Sequence, residues 1–126
     1  MVAAGGGAIV FISSRAAERG TPGQAAYSAA KAGLGGLARS IAVDFADAKV
    51  RCNVISPGYV LHERRDADID TARRARFDAM HPLGVGEAAD VAEATVFLAS
   101  PESRWITGAT LPLDGGSTIA RGTTFD

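Results

Sequence analysis

The sequence is short of most devices that hold a protein together from outside a packed core. Its 126 residues include one cysteine, Cys52, so no internal disulfide can form and a reducing, cytoplasmic setting is expected. Cys52 sits in Val50-Arg51-Cys52-Asn53-Val54-Ile55 and reads as a small buried hydrophobe. Aromatic residues make up only 6%, while glycine alone contributes 15 residues, so packing must rely on small side chains and close backbone approach. A net charge of -1 gives no electrostatic case for nucleic acid or an anionic membrane surface. No apolar run approaches the roughly 20 residues of a membrane-spanning helix. The opening Met1-Val2-Ala3-Ala4-Gly5-Gly6-Gly7 lacks the basic start and apolar centre of a signal peptide. There is no internal repeat, and no metal site is expected.

What is present is a strand–helix–strand pattern. Hydrophobic residues at 47% and charged residues at 21% fit one folded domain. Ala8–Ile12 is a short continuous apolar run, the signature of a strand buried on both faces in a parallel sheet. Thr21 and Gln24 have the spacing of a capping box, which predicts a helix from Gln24 through to Lys49. Along it Tyr27, Leu34, Leu37, Ile41 and Phe45 recur at three- and four-residue steps and define an apolar face, flanked by small residues at Ala26, Ala29, Ala30, Gly33 and Gly36. Glycine within a helix costs about 1 kcal/mol relative to alanine, so this flank implies a close neighbour. Val50–Ser56 reads as a second strand, ended by Pro57-Gly58. Residues 62–78 are densely charged and read as a solvated helix or flap, with Asp70 and Arg74 spaced for a helical ion pair. Glu87–Ala99 is a third helical pattern closed by Pro101, Thr110–Leu113 a third strand, and 121–126 a tail expected to fray. The sum is an α/β chain: part of a Rossmann-like doubly wound parallel sheet, a βαβαβ half with about three strands and three to four helices. Its most apolar strand comes first, with nothing before it to pair with, so the sequence reads as part of a larger sheet.

The chemistry concentrates between Ile12 and Lys31. Ser14 stands at a strand end, and Tyr27 and Lys31 lie four apart, on one helix face. A phenol is a poor acid or base at neutral pH, and an ammonium one turn away favours its phenolate form. A serine hydroxyl at the strand tip could hold a carbonyl or alcohol oxygen beside that phenol. In open α/β sheets ligands bind outside the carboxyl ends of the strands, and Ser14, the Tyr27 helix and Pro57-Gly58 all fall on that side. Such a set suits carbonyl reduction or alcohol oxidation, with the hydride supplied by a bound cofactor.

These residues resemble a known family. Ile12-Ser13-Ser14, then Tyr27-Ser28-Ala29-Ala30-Lys31-Ala32-Gly33-Leu34, Asn53-Val54-Ile55-Ser56-Pro57-Gly58-Tyr59-Val60, Trp105-Ile106-Thr107-Gly108 and Leu111-Pro112-Leu113-Asp114-Gly115-Gly116 follow the pattern of the short-chain dehydrogenase/reductases in order. The resemblance implies that Ser14 polarises the substrate oxygen and that Tyr27 is the acid/base. Lys31 would tune the tyrosine and bond the ribose of NAD or NADP, and Pro57, Gly58 and the Val60 backbone would border the nicotinamide. It also implies a small carbonyl or alcohol substrate, and a dimer or tetramer built on the long helix.

Two departures stand out. His62 occupies a place where the family often has threonine, which puts its contact with cofactor in question. The family's opening Thr-Gly-x-x-x-Gly-x-Gly turn, its Asn-Asn-Ala-Gly segment and a catalytic asparagine are absent from the 126 residues. Gly5-Gly6-Gly7 precedes a strand, and Gly84-Val85-Gly86-Glu87-Ala88-Ala89 follows no strand, so neither is expected to bind pyrophosphate. The sequence therefore reads as the C-terminal part, residues 1–126, of a single NAD(P)-binding Rossmann domain. The alternative is a catalytically inactive piece serving at most as an oligomerisation or interaction module. A weaker reading makes the Arg64–Arg76 cluster a docking patch for a phosphorylated or carrier-bound substrate, against which the interleaved aspartates argue.

Overall fold

The computed structural model describes residues 1–120; the tail expected to fray, 121–126, lies outside the described residues. The chain forms β1 (Gly7–Ile12), α1 (Ala25–Asp44), β2 (Val50–Pro57), α2 (Thr71–Ala79), α3 (Ala88–Ala99) and β3 (Thr110–Leu113), with short 3-10 turns at Val2–Ala4, Arg15–Ala17 and Pro101–Ser103. The strands make one parallel sheet in the order β1-β2-β3. Gly7 pairs with Val50 and Ile12 with Ile55, while Val54 pairs with Thr110 and Pro57 with Leu113. This is the expected partial doubly wound α/β layer, with the strand ends within a residue or two of their sequence positions.

β2 is central because it is apolar on both faces. Val50, Cys52, Val54 and Ile55 are all buried. Cys52 and Val54 pack with Ala38 of α1, joined by Ile9, Phe11 and Ile41. Burial also pushes the Cys52 thiol above its ordinary pKa, as befits an inert core residue. Removing a side chain such as Ile55 from water contributes about 1.5–3 kcal/mol.

α1 departs from expectation in three ways. Thr21 and Gln24 form no capping box: Thr21-Pro22-Gly23-Gln24 is a turn in which the Gln24 N–H donates to the Thr21 carbonyl, and Gln24 flanks the helix without a side-chain cap. The helix ends at Asp44 rather than Lys49: Phe45 already leaves helical geometry, at φ -117° and ψ 18°, and Lys49, at a left-handed φ of 57°, follows where the chain enters β2. The buried face is also rotated. Ala38 and Ala42 are buried, whereas Leu37, Phe45 and Tyr27 are 48%, 43% and 47% exposed. Small side chains at Gly35, Ala38 and Ala42 let the helix approach the sheet closely, so the larger residues are displaced to its flanks.

Buried polar groups fix the C-terminal third. Arg51 of β2 donates to the carbonyls of Leu98 and Ser100 and to Ser103 Oγ, satisfying the open end of α3. Asn53 donates to the Ile106 carbonyl and accepts from the Ala109 N–H. Thr107 Oγ1 accepts the Cys52 N–H, and the Gly108 N–H donates to the Cys52 carbonyl. The Trp-Ile-Thr-Gly motif is thus the brace that delivers β3 to its place beside β2. Among the described residues, no helix is long and apolar enough to cross a membrane.

Candidate active site

The carboxyl ends of β1 and β2 and the first turn of α1 converge on one cleft of about 640 Å³. Its lining includes Ser14, Tyr27, Gly58 and Tyr59. The two serines after β1 divide the work by strand alternation. Ser13 is buried, and its hydroxyl donates to the Lys31 carbonyl at 2.9 Å. Ser14 faces the cleft, and its Oγ accepts the Ala16 N–H at 3.2 Å, which orients the hydroxyl while leaving its proton available.

Lys31 lies on the sheet-facing stripe of α1. Its ammonium donates to the Ile12 carbonyl at 2.8 Å and stands 5.8 Å from the centre of the Tyr27 ring. Among the described residues that is its one hydrogen bond, so of its three donors two remain for a ligand. Lys31 opens onto a neighbouring hollow of about 240 Å³ with Ser13, Gly35, Arg39 and Thr110, rather than onto the Ser14–Tyr27 cleft. Pro57 is buried at the end of β2, where it pairs with Leu113. Val60 forms an isolated parallel bridge with Gly86 and lines a third hollow. The structure therefore brings Ser14, Tyr27 and Gly58 to one cleft, sets Lys31 one turn behind Tyr27, and turns Val60 away toward residues 83–86.

Close packing explains Gly58. A Cβ there would come within 2.9 Å of both the Asp114 Cα and the His81 Nε2. Asp114 starts the Asp-Gly-Gly turn, accepting from the Gly116 N–H, the Ser117 hydroxyl and the Thr118 N–H. Burial alone would raise its carboxyl, but these hydrogen bonds outweigh that and hold it below the ordinary value. Gly116, at a φ of 85°, supplies the left-handed conformation that this turn requires.

The wall of the cleft formed by residues 59–77 was not legible in the sequence. Tyr59 stacks on Phe77 with ring centres 3.7 Å apart and donates its hydroxyl to Asp66 at 2.6 Å. Asp66 also accepts from Arg65 and from the His62 N–H. Hydrogen bonds from Arg65, then from Tyr59, hold the Asp66 carboxyl far below the usual carboxylate range. Burial first, and the bond to Asp66 second, push the Tyr59 phenol up. The expected Asp70–Arg74 ion pair does not form. Asp70 caps α2 by accepting the Arg73 N–H at 2.7 Å, and Arg74 pairs instead with Asp78 at 3.0 Å. A residue preceding a helix is better used on its free N–H groups than on a side chain one turn away.

His81 is the residue that sequence reasoning missed most completely. It is buried, its Nε2 accepts the Tyr59 N–H at 3.0 Å, and its Nδ1 lies 2.6 Å from the Phe77 carbonyl. Since a backbone N–H can only donate, the Nε2 is the acceptor and the Nδ1 carries the proton given to Phe77. His62 lies elsewhere, its Nδ1 accepting the Arg65 N–H, and it lines a separate hollow with Leu61 and Glu63.

The chemistry of the donors decides which part of a dinucleotide these residues suit. A hydroxyl, a phenol and an ammonium with open donors fit the ribose and nicotinamide end. The G-x-G-x-x-A stretch does not fit a pyrophosphate: Gly86 is bridged to Val60 and Tyr59, and the Asp90 carboxylate already accepts the Glu87 N–H at the start of α3. A carboxylate there repels phosphate. Among the described residues, no group of three or more histidine, cysteine, aspartate or glutamate side chains could hold a metal ion.

Fold and cleft together define half of a doubly wound α/β sheet with a polar site at its strand ends. Comparison with known proteins specifies the class further. The family profile described as Enoyl-(Acyl carrier protein) reductase matches residues 1–118. The chain is 41% identical over 110 residues to the 3-oxoacyl-[acyl-carrier-protein] reductase MabA of Mycobacterium avium, covering 87% of this chain and 43% of that protein. It is 43% identical over 122 residues to the cis-4-hydroxycyclohexanecarboxylate dehydrogenase of Sinomonas cyclohexanicum, covering 94% of this chain and 47% of that one. Among solved structures, a 7α-hydroxysteroid dehydrogenase complexed with NADH and 7-oxoglycochenodeoxycholic acid superposes with a TM-score of 0.84 at 32% identity, over 92% of this chain and 46% of that one. The chain belongs to the short-chain dehydrogenase/reductase family of oxidoreductases. It spans about half the length of the curated relatives it matches.

Proposed function

We propose that residues 1–126 are the substrate- and nicotinamide-side part of one NAD(P)-binding Rossmann domain, in an oxidoreductase that interconverts a carbonyl and an alcohol. The observation that carries this reading is the shared cleft of Ser14 and Tyr27 at the strand ends, with the Lys31 ammonium 5.8 Å from the Tyr27 ring. In this reading Ser14 donates to the substrate oxygen, Tyr27 gives a proton to it or takes one from it, and Lys31 bonds the cofactor ribose with its open donors. Tyr27, Lys31, Pro57, Gly58 and Val60 would border the cofactor, NAD or NADP, which supplies or accepts the hydride when bound. The NADH complex of the hydroxysteroid dehydrogenase and the reductase and dehydrogenase names of the relatives support the cofactor and the substrate class.

The test is carbonyl reduction followed through NAD(P)H absorbance. The 126-residue chain alone is expected to show none, because it carries no Thr-Gly-x-x-x-Gly-x-Gly turn. In a chain that supplies that turn, Tyr27→Phe is expected to lower turnover by about 10²–10⁴-fold. Turnover unaffected by Tyr27→Phe overturns the assignment.

A second reading, an oligomerisation or interaction module, is favoured by the exposed flank of α1. Ala26, Ala29, Ala30 and Gly33 are exposed on a helix whose other side is committed to the sheet. The same flank would serve a dimer or tetramer of the complete enzyme. A monomer in sedimentation at high protein concentration counts against it. The free, buried Cys52 fits a cytoplasmic location.

A further inference from the structure

The cleft that holds Ser14 and Tyr27 carries charge of one sign. Its charged lining residues are Arg15, Arg65 and Arg73, with no carboxylate among them. The aspartates interleaved with the arginines in the sequence are committed elsewhere. Asp66 is taken by Arg65, Tyr59 and the His62 amide; Asp70 caps α2; Asp78 holds Arg74. Arg73 is thereby left without a carboxylate partner among the described residues, its guanidinium 5.8 Å from the centre of the Phe77 ring. On the Ser14 side, the Nη1 of Arg15 is buried with no hydrogen-bond partner among the described residues. Burial, and then the neighbouring Arg19, weigh against its charge, with Asp114 acting the other way. The Tyr59–Phe77 stack lines the same cleft and offers it a flat apolar surface.

We propose that this cleft selects a carbonyl or alcohol substrate bearing an anionic group, a carboxylate or a phosphate, which Arg15 and Arg73 bind while the body of the substrate lies on the Tyr59–Phe77 pair. The proposal rests on the cleft being the substrate site. A planar guanidinium fork matches the paired oxygens of either anion, and its hydrogen bonds to them are charge-assisted. A buried guanidinium nitrogen without a partner is costly, and an oxyanion supplies the missing acceptor.

Calorimetric titration of the 126-residue chain without cofactor tests this with three probes: 4-acetylbenzoate, its neutral analogue 4-acetylbenzamide, and inorganic phosphate. The acid is expected to bind at least about tenfold more tightly than the amide. Arg73→Gln, on the exposed face of α2, is expected to remove most of that preference while leaving the circular dichroism spectrum unchanged, and Arg15→Gln to remove the rest. Phosphate binding that depends on both arginines and exceeds that of the acid assigns a phosphorylated substrate; the reverse order assigns a carboxylate. Equal affinity for acid and amide, no saturable binding of the acid, or a preference that survives both substitutions overturns the proposal. Because the readout is binding without cofactor, failure of Tyr27 as acid/base, seen in turnover, leaves the anion preference to stand or fall by itself.

Discussion

β2 and the segment from Tyr59 to His81 sit end to end in the chain and are held in place by opposite means. β2 is secured by burial: seven of its eight residues are buried, and the exception, Arg51, spends its guanidinium on α3 and the turn that follows. The Tyr59–His81 segment has one buried residue, His81 itself, and is secured by directional contacts: the Asp66 cluster, the Tyr59–Phe77 stack and the two-sided histidine. Burial is non-directional and yields a scaffold that resists changes of pH and salt. Charge-assisted hydrogen bonds give a wall that can be shaped around a substrate and that answers to protonation. The cleft lies where the two regimes meet.

Three substitutions probe the contrast, in order of expected effect. Ile55→Ala, in the middle of the scaffold, should cost about 2–5 kcal/mol, read as a lower urea midpoint for the whole chain. His81→Ala leaves the Tyr59 N–H and the Phe77 carbonyl without their partner. It should cost about 1–3 kcal/mol, with faster amide exchange at Tyr59 as its local signature. A urea midpoint as low as that of Ile55→Ala would mean that the wall is as integral to the core as β2. Asp66→Asn should leave the urea midpoint nearly unchanged and speed exchange at the His62 amide several-fold, since the carboxylate that accepts that N–H is replaced by a weaker, neutral acceptor.

The same carboxylate fixes the direction of a pH dependence. Its folded pKa lies below the ordinary value of 3.8, so the stability it contributes is fully present above that value and is lost only as the pH falls well beneath it. The His62 amide should therefore stay protected through the range in which an ordinary aspartate protonates. Loss of protection near pH 4 would show that Asp66 is not held by Arg65 and Tyr59.

Periodicity locates the three strands and the helices α1 and α3, whereas the dense charge of residues 62–78 leaves helix and flap open there. The placement of Ser14 at a strand end and of Tyr27 and Lys31 one turn apart is legible because it depends on spacing within one element or between neighbours. The buried face of α1 was misread, because large apolar residues dominate a hydrophobic pattern whereas close helix–sheet packing favours Ala38 and Ala42. The partners of Asp70 and Arg74 were misread because i,i+4 spacing allows an ion pair without excluding a better competitor, here a helix cap and Asp78. His81 and Arg15 carried no local signal at all. Their surroundings are assembled from segments far apart in sequence.

The sequence by itself determined the order of elements, the parallel layer and the residues that mark the family, since these follow from local periodicity and from motifs of fixed spacing. The tertiary structure alone decided that Ser13 is buried with its hydroxyl on the Lys31 carbonyl. It decided as well that the Gly84–Ala89 stretch is closed to phosphate by Asp90, and that the arginines of the charged segment and of the Ser14 turn meet in one cleft without a carboxylate. The physical reason is the same in each case. Which partner a polar group takes depends on what the fold brings within hydrogen-bond distance, and the linear spacing of residues does not record that.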